Sequence, residues 1–137
     1  MKKIIALLSL VSHLGIAAEA IDANSLKIVS NCNPQDFVDM IPGDSIFTIA
    51  TQGFSYSPKC LRLKKGSTIN IQSSSHHAVE AINEANSTVV NPIAAQEINN
   101  SKTITVTFDE VGVFGYYCEN HGNDNGEGMA GAILVVE

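Results

Sequence analysis

A cysteine, a histidine three residues on and a methionine beyond a glycine-rich turn stand near the C-terminus, as Tyr117-Cys118-Glu119-Asn120-His121 and Gly128-Met129-Ala130-Gly131. A histidine pair, His76-His77, lies about forty residues upstream. One thiolate, two imidazoles and one thioether form a donor set for a single copper ion, a trigonal His₂Cys group with a weak axial Met. Cu(I) favours soft sulfur whereas Cu(II) accepts imidazole, and this set serves both. Held by a rigid scaffold, it changes little in geometry on reduction, so one electron passes over a low barrier. Zinc also takes Cys and His, with Met or water completing a tetrahedron, although soft Met is an unusual zinc ligand. A centre of two copper ions would need a second Cys in the loop, and Cys118 stands alone there.

The spacing places three of these groups on one strand-loop-strand connection. A strand over residues 113–118 carries the thiolate on a rigid element, His121 follows within a tight turn, and an apolar strand leaves the loop over 130–136. The other histidine comes from elsewhere in the fold. Adjacent strand residues face opposite ways, so only one of His76 and His77 faces a metal. His77 shares its strand phase with Val79 and Ala81, which selects it and leaves His76 at the surface.

Tyr116-Tyr117-Cys118-x-x-His121 followed by Gly128-Met129-x-Gly131 resembles the copper loop of the cupredoxins, the plastocyanin and pseudoazurin group. Tyr56-Ser57-Pro58-Lys59-Cys60-Leu61-Arg62-Leu63-Lys64-Lys65-Gly66 resembles the second-strand signature of that family, and His77-Ala78-Val79-Glu80 the segment bearing its first His ligand. The similarity runs from about Phe54 to Val136. It implies one type 1 copper ion with His77, Cys118 and His121 as equatorial ligands and Met129 as the axial one. Two positions depart from the family. Seven residues, 122–128, separate His121 from Met129 where many members have a shorter loop. Ala78 stands where the family often has an Asn that ties the ligand loops together beside the sulfur, so that bond is absent or replaced. Outer contacts of this kind tune metal affinity and potential.

The elements that must position these groups read as strands over residues 44–51, 60–64, 68–72, 78–82, 102–108, 113–118 and 130–136. Pro42-Gly43, Lys65-Gly66 and residues 109–112 punctuate them. Short strands at this spacing make an all-β sandwich or barrel. The resemblance makes it a Greek-key cupredoxin-like fold of about seven to eight strands. Residues 82–102 keep neither strand nor helix periodicity and form an excursion across one face. A helical turn is expected at 34–40, with Asn33 capping it and Pro34 at its first position.

Met1-Lys2-Lys3, an apolar run over 4–16 and Ala18-Glu19-Ala20 read as a secretory signal peptide cleaved after Ala20. The run is shorter than the roughly 20 residues of a membrane span. Three segments follow: the signal peptide at 1–20, an N-terminal extension at 21–43 and a cupredoxin-like domain at 44–137. Losing Lys2, Lys3 and Glu19 removes two positive charges and one negative, taking the formal charge from −6 to −7. That balance excludes nucleic acid as a partner. Three cysteines in an exported chain imply one pair. With Cys118 on the metal, Cys32 and Cys60 would form a disulfide pinning the extension to a strand; two buried free thiols are the alternative.

The expected function is that of an exported, periplasmic, monomeric type 1 copper protein carrying single electrons between periplasmic redox proteins, without stable membrane insertion. The alternative is a copper-binding or delivery protein that holds the ion without cycling it, which a long, loosening loop would favour. An enzyme is not expected: no acid-base pair is visible, and a saturated Cys/His/His/Met site keeps no open coordination position.

Overall fold

The computed structural model describes residues 30–40, 46–83, 88–96 and 103–137. The expected signal peptide at 1–20 lies outside the described residues. Nine strands occur among the described residues: β1 (Val38–Asp39), β2 (Phe47–Gln52), β3 (Ser55–Ser57), β4 (Cys60–Lys64), β5 (Ser67–Ile71), β6 (Val79–Ile82), β7 (Ile104–Phe108), β8 (Gly112–Gly122) and β9 (Gly128–Val136). They form a five-stranded sheet in the order β1-β4-β9-β8-β6 and a four-stranded sheet in the order β3-β2-β5-β7. The all-β sandwich is the expected fold, and its additional strands are the short β1 and β3.

β7 shows why these segments form strands. Ile104, Val106 and Phe108 are buried while Thr105 and Thr107 are exposed, the period of a strand with one face inward. On its outer face Thr107 pairs with Thr68 at 2.9 Å, and Thr105 donates to Asn70 at 2.7 Å. Ile49, Ile69, Ile71, Val106 and Phe108 of the smaller sheet meet Leu61, Leu63, Val79, Tyr116 and Ile133 of the larger one in a single core.

β9 is buried on both faces. Met129, Ile133 and Val135 join the main core, while Ala132 and Leu134, one residue out of phase, pack with Cys32, Phe37 and Cys60. The N-terminal segment thus covers the outer face of a central strand. A disulfide joins Cys32 to Cys60 as expected, and β1 runs parallel to β4 beside it. The exposed Arg62–Asp39 pair at 3.1 Å adds little to that attachment.

Two local expectations are corrected. The helical turn at 34–40 shortens to a 3₁₀ turn at Pro34–Asp36, because Phe37 turns inward and Val38–Asp39 pairs with β4. Asn33 is its N-cap and Pro34 its first residue, as expected, and the Asp36 carboxylate accepts from the Asn33 backbone amide at 2.7 Å and from Asn33 Nδ2 at 2.9 Å. Within the excursion at 82–102, a 3₁₀ turn at Pro92–Ala95 follows the buried Asn91. Asn91 donates to the Ile82 and Gly115 carbonyls at 3.1 and 2.8 Å and accepts from the Ile93 amide at 3.1 Å. Three satisfied bonds allow a buried amide side chain to fix this crossing and seat Ile93 in the core.

Candidate metal centre

β8 continues past Cys118, its expected end, to Gly122, because Gly122 pairs with Gly128 at the start of β9. The β8–β9 register shifts between Tyr117 and Gly122. In a regular strand, residues three apart face opposite sides. An irregularity of this type re-aims side chains, which lets Cys118 and His121 turn toward one point.

His77 joins them from outside β6. It forms an isolated bridge with Ser74, whose amide donates to the His77 carbonyl at 3.2 Å and whose carbonyl accepts from the His77 amide at 3.1 Å. Ser73 Oγ also donates to the His77 carbonyl at 3.3 Å. The residue expected from strand phase is the one in the cluster, but a turn, not a strand, aims it. His76 is exposed, and its carbonyl lies 3.9 Å from Cys118 Sγ.

His77 Nδ1 stands 3.9 Å from Cys118 Sγ and His121 Nδ1 3.5 Å from it. The ligand atoms of all three residues lie within 4.8 Å of one another, a spacing that could hold a metal ion. Cys118 is fully buried, His77 half-buried and His121 exposed. The centre therefore has a dry sulfur end and an imidazole edge open to water. Phe54, 71% exposed on the β2–β3 connection, sets its ring 4.6 Å from that of His121 and 6.3 Å from that of His77.

Burial, then the imidazoles of His121 and His76, hold His77 below the ordinary histidine range. That shift favours the neutral, ligating form of the ring. On the buried side, Tyr56 and Tyr116 meet edge to face at 4.8 Å. Burial raises both phenols, with Cys118 adding to the shift of Tyr56 and Tyr56 to that of Tyr116, so both stay neutral. The Tyr56 hydroxyl is buried without a hydrogen-bond partner among the described residues.

The seven-residue connection is organised around Asn123. Its Oδ1 accepts from the Asn125 and Glu127 amides at 3.0 and 3.2 Å, its Nδ2 donates to the Glu127 carboxylate at 3.0 Å, and its amide donates to the Glu127 carbonyl at 3.2 Å. An Asn side chain mimicking a backbone turn closes the tip on itself. The additional residues thus form a hydrogen-bonded tip beyond the Gly122–Gly128 pair. Gly128 has φ +70°, and a Cβ there would collide with the His121 carbonyl oxygen. Gly128→Ala is expected to cost about 2 kcal/mol from the left-handed conformation alone, with displacement of His121 besides. Chemical denaturation of the metal-free protein checks this, and an unchanged midpoint would show that the backbone yields without cost.

A family model described as copper binding proteins, plastocyanin/azurin family, matches residues 44–136. The chain belongs to this family. No curated protein sequence matches it. Among solved structures, a copper-containing nitrite reductase from Thermus scotoductus SA-01 aligns with a TM-score of 0.55 at 18% identity, over 77% of this chain and 29% of that one. The chain thus spans less than a third of the reductase, and at this identity the likeness concerns the fold. Plastocyanin from the fern Dryopteris crassirhizoma aligns at 15% identity with a TM-score of 0.49, over 73% of this chain and 99% of that one. Amicyanin from Paracoccus versutus aligns at 18% identity with a TM-score of 0.47, over 70% and 85%.

Copper is the cofactor of this cupredoxin, and the donor chemistry fits it: one buried thiol facing two imidazoles, with no carboxylate in the cluster. Met129 is fully buried in the same core cluster as Cys118 and follows Gly128 directly. Three residues around the centre escaped the sequence reading. Phe54 carried no signal of its stacking, Asn120 and Asn123 passed as loop polarity, and only their hydrogen bonds reveal them.

Proposed function

We propose that the protein is an exported type 1 copper electron carrier, with residues 1–20 as its signal peptide, Met129 as the axial ligand and His77, Cys118 and His121 as the equatorial set. The observation that carries this reading is the convergence of a buried thiol and one imidazole from a strand-loop-strand connection, whose tip is itself hydrogen-bonded, with a second imidazole from the Ser74–His77 bridge. Bound there, copper would supply a one-electron couple between Cu(II) and Cu(I).

The protein's own part is to hold the donors still and to insulate them on one side. β8 and β9 fix Cys118 and Met129 in the core, and the neutral Tyr56 keeps the sulfur side free of charge. His121 opens to solvent beneath Phe54, so its imidazole edge is the proposed exit toward another redox protein. The pinned tip at 123–127 argues against a site loose enough for copper delivery. Export agrees with the Cys32–Cys60 disulfide, a bond at home in oxidising compartments. No helix among the described residues is long and apolar enough to cross a membrane.

Visible absorption of the mature protein loaded with Cu(II), before and after ascorbate, tests this reading. An intense thiolate-to-copper band should bleach on reduction and return on reoxidation. His77→Ala should abolish it and His76→Ala should leave it. A protein that stays colourless, or takes only zinc, overturns the assignment.

A further inference from the structure

The antiparallel ladder between β6 and β8 runs out at the metal centre. Its last named pair is Val79 with Cys118, and one rung further the Glu119 amide donates to the Ala78 carbonyl at 3.1 Å. Continued in this register, the next pairs would be His77 with Asn120 and then His76 with His121. Among the described residues no backbone hydrogen bond joins these two segments beyond Ala78 and Glu119, and the rings of His77 and His121 lie with centroids 5.0 Å apart. Here Asn120 Nδ2 donates to the His76 carbonyl at 3.2 Å. A side-chain amide reaches farther than a backbone N–H, so Asn120 extends the ladder to where the backbone no longer meets.

The same carbonyl faces Cys118 Sγ at 3.9 Å, so whatever holds it also sets its place beside the sulfur. Ala78 has no side-chain donor with which to tie the two ligand segments from its own strand. We propose that Asn120 is a positioning residue of the copper centre, clamping the His76–His77 turn onto the Cys118–His121 turn from the opposite strand. This rests on the copper reading above. Asn120 and His76 are both exposed, so the bond holds no core packing together. Its loss acts on the spacing of the donors and leaves the fold intact.

The test compares Asn120→Ala, which removes the donor, with Asn120→Gln, which keeps an amide on a longer arm. In Asn120→Ala, copper release to a chelator should quicken roughly ten-fold, the scale of lost outer contacts at metal sites, and the thiolate-to-copper band should change in intensity. Asn120→Gln should recover most of both. Hydrogen exchange of the His77 amide in the metal-free protein reads the clamp without copper, and it should speed up several-fold in Asn120→Ala while thermal unfolding stays unchanged. Unaltered His77 exchange in Asn120→Ala overturns the clamp, as does a fall in unfolding temperature matching the faster release, which would make Asn120 merely structural. A wild-type protein that forms no coloured centre refutes the copper reading instead, and the exchange measurement then still decides the clamp.

Discussion

Cys118→Ser removes the visible band entirely and, with it, the stability that copper adds to the folded chain. A ligand bound only by the native state stabilises it by about 4 kcal/mol at a thousand-fold excess over its dissociation constant. For a domain of this size that amounts to roughly 15 °C in melting temperature. The variant should therefore melt at the same temperature with and without copper, while the wild-type protein gains. Cys118 is fully buried between β6 and β9, so the serine hydroxyl also costs about 1–2 kcal/mol in the metal-free state as a poorly paired buried group. Calorimetry of both proteins, each with and without metal, separates the two effects. A variant that still gained its full stabilisation from copper would show that the ion is held elsewhere.

Removing the disulfide gives the second large effect, and its signature is the reverse. Cys32 and Cys60 are separated by 28 residues, and closing a loop of that length lowers the entropy of the unfolded chain by an amount worth about 3.5 kcal/mol in the chain-entropy model. The Cys32→Ala/Cys60→Ala double variant should lose about that much, more than 10 °C in melting temperature, because Phe37, Ala132 and Leu134 then lose the link that holds the N-terminal cover. Its copper spectrum at room temperature should not change, since the β8–β9 hairpin carries three of the four proposed ligands. A loss under about 1 kcal/mol would mean that packing alone retains the cover. Thiol titration of the unfolded metal-free wild-type protein gives a further check: one reactive group without reductant and three with it.

The donor set was legible in the chain because it is written in residue types and short spacings. Cys118 and His121 lie three residues apart on one hairpin, and their pairing needs little beyond local geometry. The sandwich was legible for the same kind of reason, since alternation such as that of residues 104–108 reports one buried face wherever the strand finally lies. His77 was selected by a strand phase that the structure does not use at that position. The Ser74–His77 bridge does the aiming, and nothing in the types of Ser74 or His77 announces a two-residue bridge. The turn at 34–40 was overestimated because local propensity spoke for a helix while Phe37 and the edge of β4 drew the chain into the second core.

The long connection shows the same limit from the other side. The length of the loop pointed to a looser site, yet Asn123 folds it into a closed tip once Gly122 and Gly128 pair. By itself, then, the sequence determined the residue types of the candidate centre, the all-β class, the disulfide partners and the family, because each depends on residue chemistry, short spacing or period-two burial. The tertiary structure alone decided how β8 is irregular at the centre, which turn aims His77, that Phe54 sets its ring against that of His121, and that Asn120 bridges to His76. These depend on register and separation between strands remote in the chain. A contact across such a gap leaves no periodic trace along either strand.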